Sequence, residues 1–167
     1  MTTSHNKTVA AITHLSTLSQ YFLPFGNFIF PIVIWSVSKN NSRFVDHHGR
    51  QAINFQLSVL LYSIVLAVVA IPLLLVSIFK DVPLNAIIND NEIVVNNFSA
   101  GNITGVAVVA IMAVILFGAL KMLEFFLVIN AAVKAANGEL YQYPLTIPFI
   151  GRAAADDIQT SEPTTAP

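Results

Sequence analysis

The sequence contains no cysteine and has few charged residues. Without cysteine, the chain has no disulfide, no thiolate nucleophile and no sulfur ligand for a metal. Charged residues make up only 10% of the chain, whereas soluble domains average about 25%. The net charge of −1 creates no field that would recruit nucleic acid. The composition therefore excludes a disulfide-rich secreted protein, a basic nucleic-acid binder and a disordered chain.

The stretches without charged residues are long hydrophobic runs. Hydrophobic residues make up 55% of the sequence, and 88 of its 167 residues lie in three stretches without Asp, Glu, Lys or Arg. A membrane-spanning helix needs about 20 mostly apolar residues. The first residues, MTTSHNK, are polar and no cleavage site follows them, so no cleaved leader is expected. We predict an all-α, polytopic membrane protein.

Proline and glycine divide these runs into four hydrophobic helical segments. The first run contains Pro24, Gly26 and Pro31, so it is expected to form a short hairpin or a kinked single span, and we favour the hairpin. Gly138 is expected to end the last segment in the left-handed conformation. The predicted segments are residues 8–23, 27–38, 52–79 and 104–136.

The segments define a membrane domain of residues 8–150. A polar N-terminus of residues 1–7 precedes it, and a tail of residues 151–167 is predicted to be disordered. Residues 80–103 form a loop rich in asparagine with a single lysine. Because Lys and Arg concentrate in the other connections, that loop is predicted to lie outside and the first connector and the C-terminus in the cytoplasm. A hairpin puts the N-terminus in the cytoplasm too, whereas a single kinked span puts it outside.

Lys121 and Glu124 interrupt the last apolar run. A charge at the bilayer centre costs about 2.5–3.5 kcal/mol even on a lenient scale, so it normally faces protein or water. Their spacing places both on one helix face. Three interpretations remain open: an intramembrane pair buried against the polar first helix, side chains that snorkel to the interface, and a proton or ion pathway.

The connector before the third segment contains a second polar group. Adjacent helical residues point about 100° apart, so His47 and His48 are poorly placed to grip one metal ion. Asp46 and Arg50 have a favourable ion-pair spacing. The group is interpreted as an amphipathic lead-in or as a cytoplasmic docking motif for a soluble partner, formed by Asp46, His47, His48, Arg50, Asn54 and Phe55.

Other polar residues in the apolar segments are expected to join helices to one another. The candidates for these contacts are His14, Gln20 and Asn130. No catalytic set, phosphate loop or dinucleotide motif is present, so we expect no enzyme, no cofactor and no metal site.

Three local motifs carry a resemblance. They are the run PIVIW ending at Trp35, the run FVDHHGRQAINFQ beginning at Phe44, and KAANGE from Lys134, followed by YPL. As a set they resemble a bacterial membrane family of unknown function that is grouped with the small four-helix subunit of the chloroplast inner-envelope import translocon (Tic). The resemblance implies four membrane helices, both termini on the cytoplasmic or stromal side, and a link to protein translocation.

Two functional hypotheses follow. The first is a non-enzymatic accessory or assembly subunit of a membrane complex, linked to protein translocation, whose partners are the lipid bilayer and other integral membrane proteins. The alternative is a small homo-oligomeric channel or carrier in which Lys121 and Glu124 line a hydrated cavity.

Overall fold

The computed structural model describes residues 3–40, 42–79 and 100–151, without the side chains of residues 78–79 and 100–104. These residues are helical or irregular, with no strand among them. The part of the predicted outer loop before Ala100 lies outside the described residues. The predicted disordered tail lies outside them from residue 152. Four α-helices are described: α1 (Ser4–Leu15), α2 (Gly26–Ser38), α3 (Arg43–Phe79) and α4 (Ala100–Asn137).

The first hydrophobic run forms a helical hairpin. Thr3 caps α1 by accepting a hydrogen bond from the Asn6 amide, and a 3-10 helix (Ser16–Tyr21) continues the arm. Residues 22–25 then make a tight turn, in which Phe25 has a positive φ of 61°. The second arm, α2, packs back against the 3-10 helix and α1. The structure therefore has the hairpin, and not the single kinked span that was the other interpretation of the sequence.

In the part of the chain that the structure describes, two helical stretches are long and apolar enough to cross a membrane. They are Arg43–Ser77 within α3 and Gly105–Asn137 within α4, whereas α2 is apolar but shorter. The prediction of an all-helical membrane protein is confirmed for the described residues. The prediction of four spanning segments is supported only for these two helices.

Two helices extend beyond their predicted ends. α3 begins at Arg43 rather than near residue 52, because the polar connector is itself helical. α4 ends at Asn137, where Gly138 has a φ of 85° and its amide donates to the Ala135 carbonyl. This is the expected left-handed closure, which glycine adopts without a steric cost.

The chain divides into two compact units. The polar-core unit combines the described residues of Met1–Leu60 and Met122–Pro167, and the two-helix unit is Leu61–Lys121. The two-helix unit exposes large apolar side chains along both helices, such as Val68 and Val114. The polar-core unit contains the candidate site.

Candidate functional site

The polar-core unit buries an unusual number of polar side chains. Ten of its described polar or charged residues are at most 5% exposed. They come from α1, the 3-10 helix, α3 and α4. These residues are Thr13, His14, Thr17, His47, His48, Gln51, Asn54, Gln56, Ser58 and Glu124. Because a buried polar group must find a partner or lose stability, this interior is organised by hydrogen bonds.

A chain of three aromatic side chains forms the centre of this interior. The Tyr143 hydroxyl lies 2.9 Å from His14 Nδ1, and His14 Nε2 lies 2.8 Å from His48 Nδ1. His48 Nε2 is buried without a partner of regular geometry among the described residues, although the Glu139 backbone lies near it. The chain joins α1, α3 and the segment after α4, so His14 connects three parts of the unit.

Tyr143 is fixed from several sides. Its ring stacks on Phe55 at a centroid distance of 4.0 Å and an interplanar angle of 4°. Burial raises the pKa of the Tyr143 hydroxyl well above its ordinary value of 10.0, and the charges of Tyr141 and Glu124 raise it further. The neutral phenol is therefore the form that the folded unit holds.

This raised pKa predicts how Tyr143 titrates. The unfolded chain loses the Tyr143 proton near pH 10, while the folded unit retains it, so the free energy of unfolding falls as pH rises above about 10. When tyrosinate absorbance is followed as the pH is raised, we expect a step at high pH that coincides with unfolding. Tyr143→Phe should remove that step, whereas Tyr21→Phe, at an exposed ring, should leave it in place. A wild-type titration without that step would contradict the prediction.

Two side-chain hydrogen bonds donated by amide groups lie farther along the hairpin. Gln20 Nε2 donates to Glu124 Oε1 at 2.8 Å, which links the 3-10 helix to α4. Asn27 Nδ2 donates to Gln56 Oε1 at 2.8 Å, which links α2 to α3. Gln56 Nε2 is buried with no partner among the described residues. These contacts hold both arms of the hairpin against the long helices.

Trp35 closes the other end of the hairpin. Its Nε1 donates to Asp46 Oδ1 at 2.8 Å, and Asp46 Oδ2 accepts from Arg50 Nε at 2.9 Å. The Lys39 ammonium lies 4.8 Å from the Trp35 ring centroid. A Cβ atom added to Gly49 would lie only 2.2 Å from Trp35 Cδ1, so the ring packs directly on the backbone of α3. Sequence reasoning did not identify this contact, although Trp35 and Gly49 both lie in the motifs noted above.

The segment after α4 folds onto α3, and we call residues 139–151 the C-terminal strap. Asn54 makes two hydrogen bonds with one strap residue, accepting from Ile150 N at 2.8 Å and donating to Ile150 O at 2.9 Å. Ser58 Oγ accepts from Ile147 N, and Arg50 Nη1 donates to Gly151 O. Because Arg50, Asn54 and Ser58 are four residues apart, one helix face supplies all of these contacts.

The strap contacts predict a local effect of Asn54→Ala. Each neutral hydrogen bond contributes about 0.5–1.5 kcal/mol, so the end of the strap should lose about 1–3 kcal/mol. Amide exchange at Ile150 should become about 5- to 150-fold faster, at about 1.4 kcal/mol for each factor of ten, as measured by hydrogen-exchange mass spectrometry. Gln142→Ala, at an exposed strap residue, is the control. Unchanged exchange in Asn54→Ala would contradict the prediction.

The structure brings most of the sequence-predicted residues into this unit. In the predicted docking motif, His47 Nε2 faces the Tyr141 carbonyl at 3.2 Å, while Phe55 and the other members make the contacts given above. Binding of a soluble partner by the motif stays a prediction.

Two other predicted residues lie outside the buried polar interior. Asn130 hydrogen-bonds the Tyr141 side chain. Lys121 belongs to the two-helix unit, where its ammonium lies 5.8 Å from the Phe117 ring centroid. Pairing of Lys121 with Glu124 stays a prediction.

These observations define a class of protein before they define a family. The chain is an α-helical membrane protein with two candidate spans among its described residues and a polar-core unit held by internal hydrogen bonds. Residues 5–150 match the model of the magnetosome magnetite crystal formation protein family (MamF/MmsF), so the chain belongs to that family. Members of this family are magnetosome membrane proteins involved in crystal formation. No curated protein and no solved structure gives a significant match.

The family match corrects the resemblance to the Tic translocon subunit. That interpretation is wrong, and its link to protein translocation has no support. The motifs that suggested it have local structural roles in this chain: Trp35 packs on Gly49, Asn54 holds the strap, and Gly138 ends α4. Such contacts describe how one end of a helical unit is built, and they carry no information about translocation.

Proposed function

We propose that this chain is a non-enzymatic accessory subunit of a magnetosome membrane, which influences crystal formation by organising other integral membrane proteins. The match of residues 5–150 to the crystal formation family carries the proposal. The contacts of the polar-core unit support it, because His14, Asn54 and Glu124 each join separate elements of that unit.

The proposed orientation puts both termini on the cytoplasmic side of a bacterial inner membrane or of a membrane derived from it. Lys and Arg favour the cytoplasmic side of membrane helices. Lys39 follows α2, Arg43 and Arg50 lie at the start of α3, and Lys134 lies in the last turn of α4. The open end of the hairpin lies with this basic group, because Lys7 Nζ donates to Asn137 O and Trp35 bonds Asp46.

Complementation tests the proposed function. The chain would replace the native family member in a magnetosome-forming bacterium, and crystal size and number would be measured by electron microscopy. We expect crystals to return toward wild-type dimensions, and crosslinking to recover other membrane proteins with the chain. As a control, the Gly118→Ala variant should behave like the unchanged chain, because an added Cβ there meets no atom within 4 Å. A stable, membrane-located chain that leaves the crystals defective would contradict the proposal.

The described residues do not favour the channel or carrier hypothesis. That hypothesis requires Lys121 and Glu124 to line a hydrated cavity, but Glu124 is buried and bonded to Gln20. The two-helix unit has an open cavity of about 300 Å³ whose lining is apolar apart from Ser63. Ion flux in proteoliposomes, compared between the wild type and Glu124→Gln, is its direct test.

A further inference from the structure

The turn of the hairpin carries strongly exposed aromatic side chains. Phe22 is 93% exposed and Phe25 is 73% exposed, and Tyr21 and Leu23 beside them are also exposed. Water is an unfavourable environment for a cluster of large apolar side chains. Phe25 also has a positive φ of 61°, which is a sterically costly conformation for a residue other than glycine. An apolar environment around the turn would remove the cost of exposing the Phe22 and Phe25 rings to water.

The two arms of the hairpin bury polar side chains and expose apolar ones, which is the reverse of a helix pair in water. Thr13, His14 and Thr17 are buried within the polar-core unit. Ile12, Leu15, Ile29, Phe30, Val33 and Val37 face outward and are exposed. A surface helix in water turns its apolar face inward, whereas lipid accepts an apolar exterior. The hairpin surface therefore fits acyl chains.

The open end of the hairpin has the composition of a membrane interface. Trp35 lies near the end of α2, with Lys39 over its ring and Asp46 on its indole nitrogen. Lys7 near the start of α1 donates to the last carbonyl of α4. Tryptophan and basic residues are typical of the level of the lipid headgroups. The two ends of the hairpin therefore belong at one interface, and the turn points away from it.

The length of α2 limits how deep the turn can reach. Its 13 residues correspond to about 20 Å at 1.5 Å per residue, whereas the hydrocarbon core is about 30 Å thick. An arm that starts at the interface therefore ends inside the hydrocarbon. Phe22 and Phe25 would then lie among acyl chains, beyond the reach of water on either side.

We infer that the hairpin of residues 4–38 is a re-entrant membrane element. It enters the bilayer from the side of its basic open end, places the Phe22–Phe25 turn in the hydrocarbon, and returns to the same side. Lipid acyl chains cover the outer surface of the hairpin. Of the described helices, only α3 and α4 then cross the membrane. The inference is independent of any role in crystal formation, so the two can fail separately.

The absence of cysteine makes the test direct, since single cysteines can be introduced into the full chain without background. Phe22→Cys probes the turn and Ser4→Cys, at an exposed residue, probes the open end. Asn91→Cys lies in the segment that the charge distribution assigns to the opposite face. A membrane-impermeant maleimide would be added to either face of sealed vesicles of known orientation. We expect Ser4→Cys to label from one face, Asn91→Cys from the other, and Phe22→Cys from neither until the protein is denatured.

A depth measurement separates lipid from protein around the turn. Trp35 is the single tryptophan, so its emission reports the open end, and a Trp35→Phe/Phe22→Trp variant reports the turn. Lipids brominated in mid-chain should quench the emission of the Trp35→Phe/Phe22→Trp variant at least twofold more than lipids brominated near the headgroup. The emission of native Trp35 should show the reverse order. Three results would overturn the inference: labelling of Phe22→Cys from the face opposite Ser4→Cys, labelling from the same face, or no labelling combined with no quenching by bromolipid. The first means a spanning hairpin, the second a turn in water, and the third a turn covered by another protein.

Discussion

Replacing His14 with alanine is expected to cause the largest loss of stability in the polar-core unit. His14 satisfies both the Tyr143 hydroxyl and His48 Nδ1, and all three side chains are buried. Each polar group left without its partner costs about 1–3 kcal/mol, and the lost ring adds a cavity. The two unpaired groups alone cost about 2–6 kcal/mol, which is a large part of the stability of many domains, about 5–15 kcal/mol. Thermal unfolding in detergent, followed by Trp35 emission, measures the loss.

The order of effects within this network is also predicted. Tyr143→Phe removes one hydroxyl and leaves one His14 nitrogen without a partner, so it should cost about 1–3 kcal/mol, less than His14→Ala. His5→Ala is the matched control, because His5 is on the same helix and is exposed. A melting temperature of His14→Ala close to that of His5→Ala would show that the network does not hold the unit together.

Gly49→Ala should cause the second large loss of stability. The added Cβ would lie 2.2 Å from Trp35 Cδ1 and 2.6 Å from Cγ, distances that require the ring or α3 to move. Overpacking costs about 1–3 kcal/mol, and displacement of Trp35 also breaks its hydrogen bond to Asp46. We expect a total loss of about 2–4 kcal/mol. Because Trp35 is the single tryptophan, its emission should shift to longer wavelength in the folded variant.

A rescue experiment separates this steric clash from a general effect of alanine. Trp35→Ala alone removes the packing and the hydrogen bond, but it also empties the space that the new Cβ needs. Adding Gly49→Ala to Trp35→Ala should therefore cost little, so the two effects should be strongly non-additive. Gly118→Ala, with nothing near its added Cβ, should leave the melting temperature unchanged or raise it through helix propensity. Additive losses would exclude the clash as the cause.

The sequence predicted the parts of the fold that depend on local chemistry. The charge-free runs indicated helices that could cross a membrane, because hydropathy is a property of consecutive residues. Pro24 and Gly26 indicated the break between the first two segments, and Gly138 indicated the end of α4. Each of these signals lies within a few residues of the feature that it predicts.

The contacts that build the site could not be read in the same way. Asn54 bonds Ile150, and Gln20 bonds Glu124, and these partners are distant along the chain. A polar residue in an apolar segment predicts that a partner exists, but its identity depends on tertiary packing. The bound of the third segment at residue 52 was late, because it followed the start of the continuous apolar run. The amphipathic lead-in before it was interpreted on helical spacing, and α3 begins within it, at Arg43.

The re-entrant hairpin has a mechanical consequence for the bilayer. A helix that crosses the membrane displaces lipid from both leaflets, whereas a hairpin that turns back displaces lipid mainly from the leaflet that it enters. The two leaflets then carry unequal areas, and a bilayer accommodates such a mismatch by bending, convex on the expanded side. Many copies of this chain would therefore favour one sign of membrane curvature. The exposed phenylalanines at the turn thus connect the shape of a short hairpin to the shape of the membrane around it.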